Sequence, residues 1–318
     1  MTRALVTGGA GFIGSHIAQL LIERGIETVV LDDLSMGRQE NVPVGAQFIL
    51  GDIREQDTLD YCLQGVDVVF HEAAKVSIRH SIANFVEDAQ INIQGTINLL
   101  AASARAGVKK LITASSMAVY GDVEHLPINE AHPCRPTTPY GISKLAAEQY
   151  VLTMGRHLGM TAIALRYFNT YGPRQTFTPY VGVITIFIRQ LLAGNRPLIF
   201  GSGEQVRDFV SVFDIARANV LAMERGTPGS VFNIGSGCGT TVNDLYRMVQ
   251  RAVGADVPPE YGPQQLGEPR DSIADLRAAR AALGYQPVGS LEQELPHIVA
   301  WNRAEQAPPE AHKHHCEE

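Results

Sequence analysis

The sequence is poor in cysteine, with four cysteines among 318 residues: Cys62, Cys134, Cys238 and Cys316. No two of them stand at the short spacings that are typical of zinc sites or disulfide frameworks. We therefore expect reduced thiols, no disulfide and no bound metal.

Long apolar runs are also missing. No apolar stretch reaches the roughly 18 residues that a membrane-spanning helix needs. Residues 1–3 lead directly into a short apolar strand, without the pattern of a signal peptide. These absences predict a cytoplasmic protein that binds no membrane.

Positive charge is not in excess, since 26 Lys and Arg residues stand against 33 Asp and Glu residues, for a net charge of −7. An acidic balance argues against binding to nucleic acid. With 45% hydrophobic residues, the length suits one large domain or two fused domains. The His-rich end, residues 305–318, is expected to be a disordered tail rather than a metal site.

Near the start of the chain, a short apolar run at residues 4–6 is followed by a glycine-rich turn and an amphipathic stretch. This order predicts a strand, a tight turn and a helix. Glycines in such a turn let the backbone approach a pyrophosphate, while the N-terminus of the helix faces the phosphates. The turn therefore predicts a dinucleotide site at Gly8, Gly11, Phe12, Ile13 and Gly14.

The second predicted strand, residues 28–31, ends at Asp32 and Asp33. A carboxylate at this place accepts hydrogen bonds from the adenosine ribose hydroxyls and repels a 2′-phosphate. The pattern favours NAD over NADP, although Arg38 leaves a small opening for NADP.

Further predicted strands alternate with amphipathic helices, which indicates a doubly wound parallel sheet, or Rossmann fold. These strands are residues 47–50, 66–70 and 109–116. We expect cofactor contacts in the loops that follow: Asp52 and Ile53 at the adenine, and Ala73, Ala74 and Lys75 where the dinucleotide crosses the sheet edge.

A second motif begins at Thr138, which the pattern predicts as the N-cap of a helix with Pro139 at its first position. Tyr140 and Lys144 are four residues apart, so they share one face of this helix. A neighbouring ammonium group lowers the pKa of a phenol, and a shift of three units needs roughly 4 kcal/mol. The pair predicts Tyr140 as a base for hydroxyl protons.

Together with the segment Asn92-Ile93-Gln94-Gly95-Thr96 and a strand that ends in Ser115-Ser116, these motifs resemble the extended short-chain dehydrogenase/reductase family. The branch that acts on nucleotide-sugars, and its 4-epimerases in particular, is most similar. The resemblance extends from Leu5 to about Pro287.

The resemblance implies NAD as cofactor, with Asn92 among its ligands, and a homodimer built on helices around residues 82–105 and 139–157. It implies an NAD-binding Rossmann domain at residues 1–168 and a smaller α/β C-terminal substrate lobe at residues 169–304. Some segments of the second half are expected to cross into the first domain.

The resemblance assigns three catalytic residues. Tyr140 takes the proton from a sugar hydroxyl, Lys144 holds the nicotinamide ribose and lowers the pKa of the phenol, and Ser116 hydrogen-bonds the same sugar oxygen. Relatives that eliminate water carry an Asp-Glu pair directly after this serine, whereas this chain has Met117-Ala118. Neither side chain transfers protons, so the hydride is expected to return to the other face of the keto-sugar.

In the second half, residues 161–169 predict one strand that ends at Asn169. By resemblance, Asn169 and Arg207 bind the substrate diphosphate, and Val183 lines the pocket for the base and sugar. A turn-forming role for Asn169 is the alternative. Asp214 is expected to cap a helix rather than to act in catalysis.

Near residue 268 the chain departs from its relatives, because Gln265 stands where they carry a second phosphate arginine. Arg270 is the candidate substitute, and Glu268 is expected to bind the nucleotide ribose. Ser272 is small where a bulky residue narrows the sugar pocket in some relatives, which leaves room for an N-acetyl group.

The leading hypothesis is an NAD-dependent enzyme that interconverts C4 epimers of a nucleotide-diphosphate hexose of the UDP-linked type, including N-acetylated or uronate forms. An NAD-dependent nucleotide-sugar reductase or a C2 epimerase would use the same serine, tyrosine and lysine. A non-catalytic NAD-binding sensor is a third hypothesis, against which the intact trio argues.

Overall fold

The structure is a computed structural model that describes residues 2–177, 182–264 and 271–306. The strands in these ranges are β1 (Arg3–Thr7), β2 (Glu27–Asp32), β3 (Gln47–Leu50), β4 (Val68–His71), β5 (Lys110–Ser116), β6 (Thr161–Tyr167), β7 (Asn169–Tyr171), β8 (Leu198–Phe200), β9 (Val206–Ser211), β10 (Ser230–Ile234), β11 (Gly239–Thr241) and β12 (Glu260–Gly262). The α-helices are α1 (Phe12–Glu23), α2 (Gln56–Cys62), α3 (Ile78–Ala83), α4 (Phe85–Ala89), α5 (Thr96–Arg105), α6 (Pro139–His157), α7 (Val183–Leu192), α8 (Val212–Arg225), α9 (Val242–Val253), α10 (Arg277–Leu283) and α11 (Leu291–Gln306).

Seven parallel strands form the central sheet, in the order β10-β6-β5-β4-β1-β2-β3. The chain runs outward from β1 to β3 on one side and from β4 to β6 on the other. The strand order therefore reverses between β1 and β4, which opens a crevice at the carboxyl ends of these two strands. The predicted doubly wound parallel sheet is confirmed.

The sheet is buried on both faces, because helices cover each side. On one face α1 and α8 pack together, and on the other α5 packs against α6. Ala4, Leu5 and Val6 of β1 are fully buried, as are Val29 and Val30 of β2. Short continuous apolar runs of this kind are typical of parallel strands with helices on both faces.

The predicted strand at 161–169 is interrupted at Phe168. Its N–H donates to the carbonyl of Ile234 in β10, and the chain then leaves the central sheet. The next three residues form β7, which pairs with β9 in a separate sheet of order β11-β9-β7. Since β10 returns to the central sheet, the second half crosses back into the first, and the boundary at residue 168 stays a prediction.

The second lobe has its own apolar core, which packs α7, α9 and α11 around the small sheet. Helix α8 begins with Ser211 as its N-cap, whose Oγ accepts from the Phe213 N–H at 3.3 Å. The expectation that Asp214 caps a helix was therefore wrong. Its carboxylate lies in the first turn of α8 and accepts from the N–H of Gly289 at 2.8 Å, which ties the chain before α11 to this helix.

Cys62 is buried, Cys134 is partly buried and Cys238 is exposed, and each has a free thiol. Among the described residues, no helix combines the length and the apolar character that crossing a membrane requires.

Candidate active site

The turn after β1 depends on glycine. Gly8 has a φ of +68°, and its N–H donates to the carbonyl of Leu31 at 2.8 Å. A Cβ on Gly14 would lie 2.2 Å from the Gly8 carbonyl oxygen, so only glycine lets α1 pack this closely on the turn. A Cβ on Gly11 would meet that oxygen at 3.1 Å and otherwise open space. The surface over Gly11 and the first turn of α1 is therefore accessible to a phosphate group.

Asp32, the last residue of β2, lies beside this turn. Its Oδ2 accepts from the Ala10 N–H at 3.0 Å and its Oδ1 from the Leu34 N–H at 2.8 Å. Burial raises the pKa of Asp32. Asp33 is exposed and accepts from the Ser35 N–H at 2.9 Å. Asp32 thus fixes the glycine turn and stands at the carboxyl edge of the sheet, where the sequence places the ribose.

Two residues considered for the adenosine half, Arg38 as an opening for NADP and Asp52 as an adenine contact, are held in ion pairs. Arg38 pairs with Glu305 of α11, so its guanidinium is already engaged with a carboxylate, which supports NAD over NADP. Asp52 accepts from the Arg54 Nε at 2.9 Å, and this contact lowers the pKa of Asp52. Ile53 is buried beneath Gly95. The contacts of Asp52 and Ile53 with the adenine stay predictions.

The loop after β4, residues 73–75, is fixed by the side chain of Asn92. Its Oδ1 accepts from the Lys75 N–H at 2.8 Å, and its Nδ2 donates to the Lys75 carbonyl and to Ser143 Oγ, each at 3.1 Å. Asn92 lies in a π-helical segment, Gln90–Gly95, an irregularity that is frequent at functional sites. Asn92 therefore joins this loop to α6, and its direct contact with NAD stays a prediction.

The glycine turn and the loop after β4 touch each other, since a Cβ on Gly8 would lie 2.7 Å from the Ala73 nitrogen. Ala74 and Lys75 continue the loop as partly buried residues. This contact lies where the strand order reverses, which is where doubly wound sheets bind their ligands. The small residues and the open surface at Gly11 fit a dinucleotide.

Helix α6 begins as the sequence predicts. Pro139 is its first residue, and Thr138 caps it by accepting from the Gly141 N–H at 3.2 Å. Tyr140 is partly buried and Lys144 is buried. The helix therefore presents the phenol and the ammonium group to the sheet one turn apart.

Ser116 is the last residue of β5, and it meets Tyr140 across the site. Its Oγ accepts from the Ala118 N–H at 3.2 Å. The Ser116 side chain also lies close enough to Tyr140 to favour the phenolate. The structure thus brings the three predicted catalytic residues to one edge of the sheet.

Burial raises the pKa of Tyr140 to about 12, and the charges of Asp88 and Glu72 act in the same direction. This is opposite to the lowering that the sequence predicts. The pKa of Lys144 is itself lowered, because burial outweighs the favourable charges of Glu72, Asp88 and Glu148. Desolvation therefore disfavours charge on both members of the pair.

The sequence analysis missed two carboxylates in the site. Glu72, directly after β4, accepts from the Tyr167 hydroxyl at 2.8 Å, and burial raises its pKa to about 7. Asp88 is 1% exposed and accepts from Asn92 Nδ2 at 3.1 Å. The signal for Glu72 was available, since a charged residue there ends an apolar strand at the sheet edge that also holds Ser116.

On the substrate side, Asn169 begins β7 and Arg207 lies in β9. The Asn169 Oδ1 is buried and has no hydrogen-bond partner among the described residues, as expected of a group that awaits a ligand. Arg207 is 8% exposed, and its Nη1 donates to the Val206 carbonyl at 3.0 Å. Val183 is the first residue of α7.

Ser272 is completely buried, and its N–H donates to the Val206 carbonyl at 3.0 Å. Its hydroxyl has no partner within the described ranges. Because this side chain is not exposed to a cleft, its part in the sugar pocket stays a prediction. Gln265, Glu268 and Arg270 lie outside the described residues, as do residues 307–318 of the His-rich tail. The first two residues of the predicted tail, Glu305 and Gln306, instead end α11.

The doubly wound sheet, the glycine turn with its acidic strand end, and the Ser116, Tyr140 and Lys144 trio define a dinucleotide-dependent enzyme of the extended short-chain dehydrogenase/reductase type. The chain belongs to the NAD-dependent epimerase/dehydratase family, whose family model matches residues 4–235. NAD is its cofactor.

Three individual proteins are similar to this chain over nearly its whole length. A UDP-glucose 4-epimerase of Mycolicibacterium smegmatis is 38% identical over 309 residues, which are 95% of this chain and 98% of the relative. The crystal structure of a Thermotoga maritima UDP-glucose 4-epimerase with UDP-glucose is similar at a TM-score of 0.93 and 42% identity, over 96% of this chain and 100% of that one. A dTDP-glucose 4,6-dehydratase of Streptomyces venezuelae with NAD is also similar, at a TM-score of 0.90 and 32% identity, over 95% and 97% of the two chains.

Proposed function

We propose that the protein interconverts the C4 epimers of a UDP-linked hexose through a transient 4-keto intermediate. The observation that carries the proposal is the grouping of Ser116 and Tyr140 at one edge of the sheet, with Lys144 buried one helical turn away. This arrangement lies at the same sheet edge as the glycine turn. The similarity to 4-epimerases over nearly the whole chain supports the reaction type.

Each residue of the trio has a separate role in the proposed reaction. Tyr140 accepts the proton of the sugar hydroxyl and later returns it, and Ser116 donates a hydrogen bond to the same sugar oxygen. Lys144 anchors the cofactor ribose, with Glu72, Asp88 and Glu148 favouring its ammonium form. Bound NAD supplies the hydride acceptor, and its positive ring offsets the burial that keeps the Tyr140 phenol protonated.

Epimerisation is favoured over elimination because the residues after Ser116 are Met117 and Ala118, in a short 3₁₀ helix. Elimination needs an acid and a base besides the tyrosine. Glu72, directly after β4, has its carboxylate held by the Tyr167 hydroxyl. The simplest course after oxidation is therefore return of the hydride to the opposite face.

We propose that the substrate binds between the predicted domain at residues 1–168 and the predicted lobe at residues 169–304. Arg207 and Asn169 bind the diphosphate, because a guanidinium meets phosphate oxygens in bidentate fashion and a buried amide without a partner gains one. Val183, Glu268 and Arg270 complete the nucleotide side. By resemblance alone, the small Ser272 keeps an N-acetylated hexose among the candidate substrates.

The protein is proposed to be a homodimer through α6 and the helices packed beside it. Exposed apolar side chains lie on α3, α4 and α6, which contact one another. These are Ile82, Phe85, Val86, Ile142, Tyr150 and Met154. Apolar side chains grouped on neighbouring helices indicate a protein interface, and a second copy of the same helices would cover them in an isologous contact.

The cytoplasm is the proposed location. The three described cysteines are free thiols, including the exposed Cys238. Thiols that stay reduced are typical of a reducing compartment.

The test is incubation of the purified protein, without added cofactor, with UDP-glucose, UDP-N-acetylglucosamine, UDP-glucuronate and dTDP-glucose, followed by chromatographic separation of epimers. Formation of the C4 epimer at constant NAD supports the proposal. Stoichiometric use of NADH would show a reductase, inversion at C2 a C2 epimerase, and no turnover with any sugar a sensor.

A further inference from the structure

Asp208 is a fully buried carboxylate in β9, directly after Arg207. Its Oδ1 accepts from the N–H and the Oγ of Ser236, at 2.7 Å and 2.6 Å. Its Oδ2 accepts from the Gly237 N–H at 2.9 Å and from the Ala274 N–H at 3.0 Å. Four donors from two separate segments of the chain therefore converge on one side chain, and each of its oxygens accepts two hydrogen bonds.

The two predicted diphosphate ligands, Arg207 and Asn169, lie on the other face of the same small sheet. Side chains alternate between the two faces of a strand, so Arg207 and Asp208 point in opposite directions. Asn169 of β7 pairs with Phe209, two residues after Arg207, and therefore lies on the Arg207 face. Asp208 thus supports β9 from the face opposite to the proposed substrate contacts.

The segment around Ala274 also reaches the first half of the chain. The Ala274 N–H is bound by Asp208 on one side. On the other side the Ile128 N–H donates to the Ile273 carbonyl, and the Ile128 carbonyl accepts from the Asp275 N–H, each at 2.8 Å. Ile128 lies between β5 and α6, which carry the predicted catalytic residues. Asp208 therefore connects β9 to the serine side of the site through one short segment.

We propose that Asp208 is a positioning residue for the substrate diphosphate. By holding residues 236–237 and residue 274 against β9, its carboxylate keeps the Arg207 guanidinium in place for the phosphate oxygens. An amide at this position has only one acceptor oxygen, and its NH₂ group would face two of the four donors. The inference rests on the proposed function, because it concerns the same diphosphate site.

The first measurement needs no substrate. Hydrogen exchange of the full chain with NAD bound, followed by mass spectrometry of peptic peptides, reports how firmly the amides bonded to Asp208 are held. In Asp208→Asn, the peptides that contain Ser236, Gly237 and Ala274 should exchange about tenfold faster than in wild type or more, because these amides lose an acceptor. Unchanged exchange in these peptides would overturn the proposal.

Asp214→Asn is the matched control, since Asp214 is also a buried carboxylate that binds backbone amides of a distant segment. It accepts from the Val288 N–H at 3.1 Å and from the Gly289 N–H at 2.8 Å. Both substitutions should lower the temperature of unfolding, because each leaves buried donors without an acceptor. Only the substitution at Asp208 is expected to weaken substrate binding.

The second measurement combines steady-state kinetics on UDP-glucose with calorimetric titration of UDP. In Asp208→Asn, the KM for UDP-glucose and the Kd for UDP should each rise by about tenfold. The value of kcat and the Kd for NAD should stay within about twofold, since the diphosphate is bound alike in the ground state and the transition state. Asp214→Asn should keep the wild-type KM and Kd values.

Ser236→Ala provides a milder variant, because it removes one of the four donors and leaves the carboxylate in place. Ser236 is only partly buried, so this variant should fold even if Asp208→Asn does not. Its KM for UDP-glucose and Kd for UDP should rise by about two- to threefold. Values equal to those of wild type in Ser236→Ala, or a loss of kcat shared by Asp208→Asn and Asp214→Asn, would mean a merely structural role and would contradict the proposal.

The two hypotheses fail in different ways. Weaker UDP binding by Asp208→Asn, with no epimerisation by wild type, supports the positioning role and defeats the proposed reaction. Equal UDP binding by wild type and Asp208→Asn overturns the positioning role, whereas epimerisation by wild type still supports the proposed function. A wild-type protein that does not bind UDP would contradict both.

Discussion

At the scale of single residues, the site combines a phenol and an ammonium group that are buried together. Each would be easier to ionise in water, and burial shifts the pKa of Tyr140 up and that of Lys144 down. The Ser116 side chain favours the charged phenol, and three surrounding carboxylates favour the charged lysine, so these shifts are partly offset. In the proposed mechanism, Tyr140 is therefore a base whose activation depends on additional positive charge.

Tyr140→Phe removes only the hydroxyl that accepts the proton. We expect kcat to fall by about 10²–10⁴, which is the usual contribution of general acid–base catalysis. NAD affinity, measured by fluorescence titration, should stay nearly unchanged. Tyr61→Phe, at an exposed position on α2, is the control, and an equal loss of turnover and NAD binding in Tyr140→Phe would show that the residue is structural.

His71 supplies a prediction for stability against pH. It lies between two hydroxyls, with Nδ1 at 2.8 Å from Thr7 Oγ1 and Nε2 at 2.8 Å from Thr96 Oγ1, and burial lowers its pKa to about 3. In the folded protein His71 therefore stays neutral down to about pH 3, whereas in the unfolded chain it takes up a proton below about pH 6.5. The free energy of unfolding should therefore fall as pH drops from about 6.5 to about 3, by up to about 1.4 kcal/mol per pH unit from this group.

The measurement is urea denaturation at several pH values in this window. His71→Gln should show a smaller dependence of the unfolding free energy on pH than wild type, since the difference in proton uptake is removed. His125→Gln, at an exposed position, should retain the wild-type dependence. Parallel pH dependence in wild type and His71→Gln would contradict the account.

The site residues that can be recognised from the sequence are those related by short spacings along the chain. Gly8, Asp32 and the pair of Tyr140 and Lys144 are recognisable because their spacing along one turn or helix carries the chemistry. Glu72 was missed because its partner Tyr167 is distant in sequence and reaches it across β5. The pKa direction of Tyr140 was missed for a similar reason, since desolvation depends on packing.

At the scale of elements, the contact between β1 and α1 decides whether the cofactor turn forms. Gly14 and Gly11 belong to the same turn but serve different purposes. A side chain at Gly14 collides with the backbone at 2.2 Å, whereas one at Gly11 points mostly into open space. Their substitution therefore separates folding from cofactor binding.

Gly14→Ala should destabilise the fold by several kcal/mol, since the backbone has to move to relieve the overlap. Gly11→Ala should cost about 1 kcal/mol or less in stability yet weaken NAD binding at least tenfold, because its methyl group occupies the surface that the phosphates approach. Thermal unfolding and NAD titration of the two variants check this. Similar losses of NAD affinity and stability in both variants would contradict it.

Element boundaries were predictable where a local signal exists. The start of α6 is predictable from Thr138 and Pro139, because the Thr138 cap and the Pro139 ring both favour a helix start within one turn. The end of β6 has no such signal, because the break at Phe168 is set by a hydrogen bond to β10 from a distant part of the chain. The π-helical segment around Asn92 likewise forms through its contacts with the loop after β4 and with α6.

At the scale of the whole molecule, the central sheet carries the cofactor edge and the second lobe carries Asn169 and Arg207. The exposed apolar face of α3, α4 and α6 lies on the helices that also position Tyr140. A dimer through this face would stabilise the catalytic helix in each copy.

Ile142→Asp places a charge in the middle of this face, at a side chain that is 54% exposed. We expect the variant to be monomeric in size-exclusion chromatography with light scattering, whereas wild type elutes as a dimer. Val288→Asp is the control, because Val288 is exposed but lies away from these helices, after α10. A monomeric wild-type protein would contradict the proposed dimer.

The central claim is that the hydride removed from C4 of the sugar returns to the same carbon from the other side. The most direct measurement is NMR of the product that the protein, with its bound NAD, forms from UDP-glucose carrying deuterium at C4. The account predicts UDP-galactose with deuterium still at C4. Deuterium at C6, or its loss from the sugar into released cofactor, would contradict it.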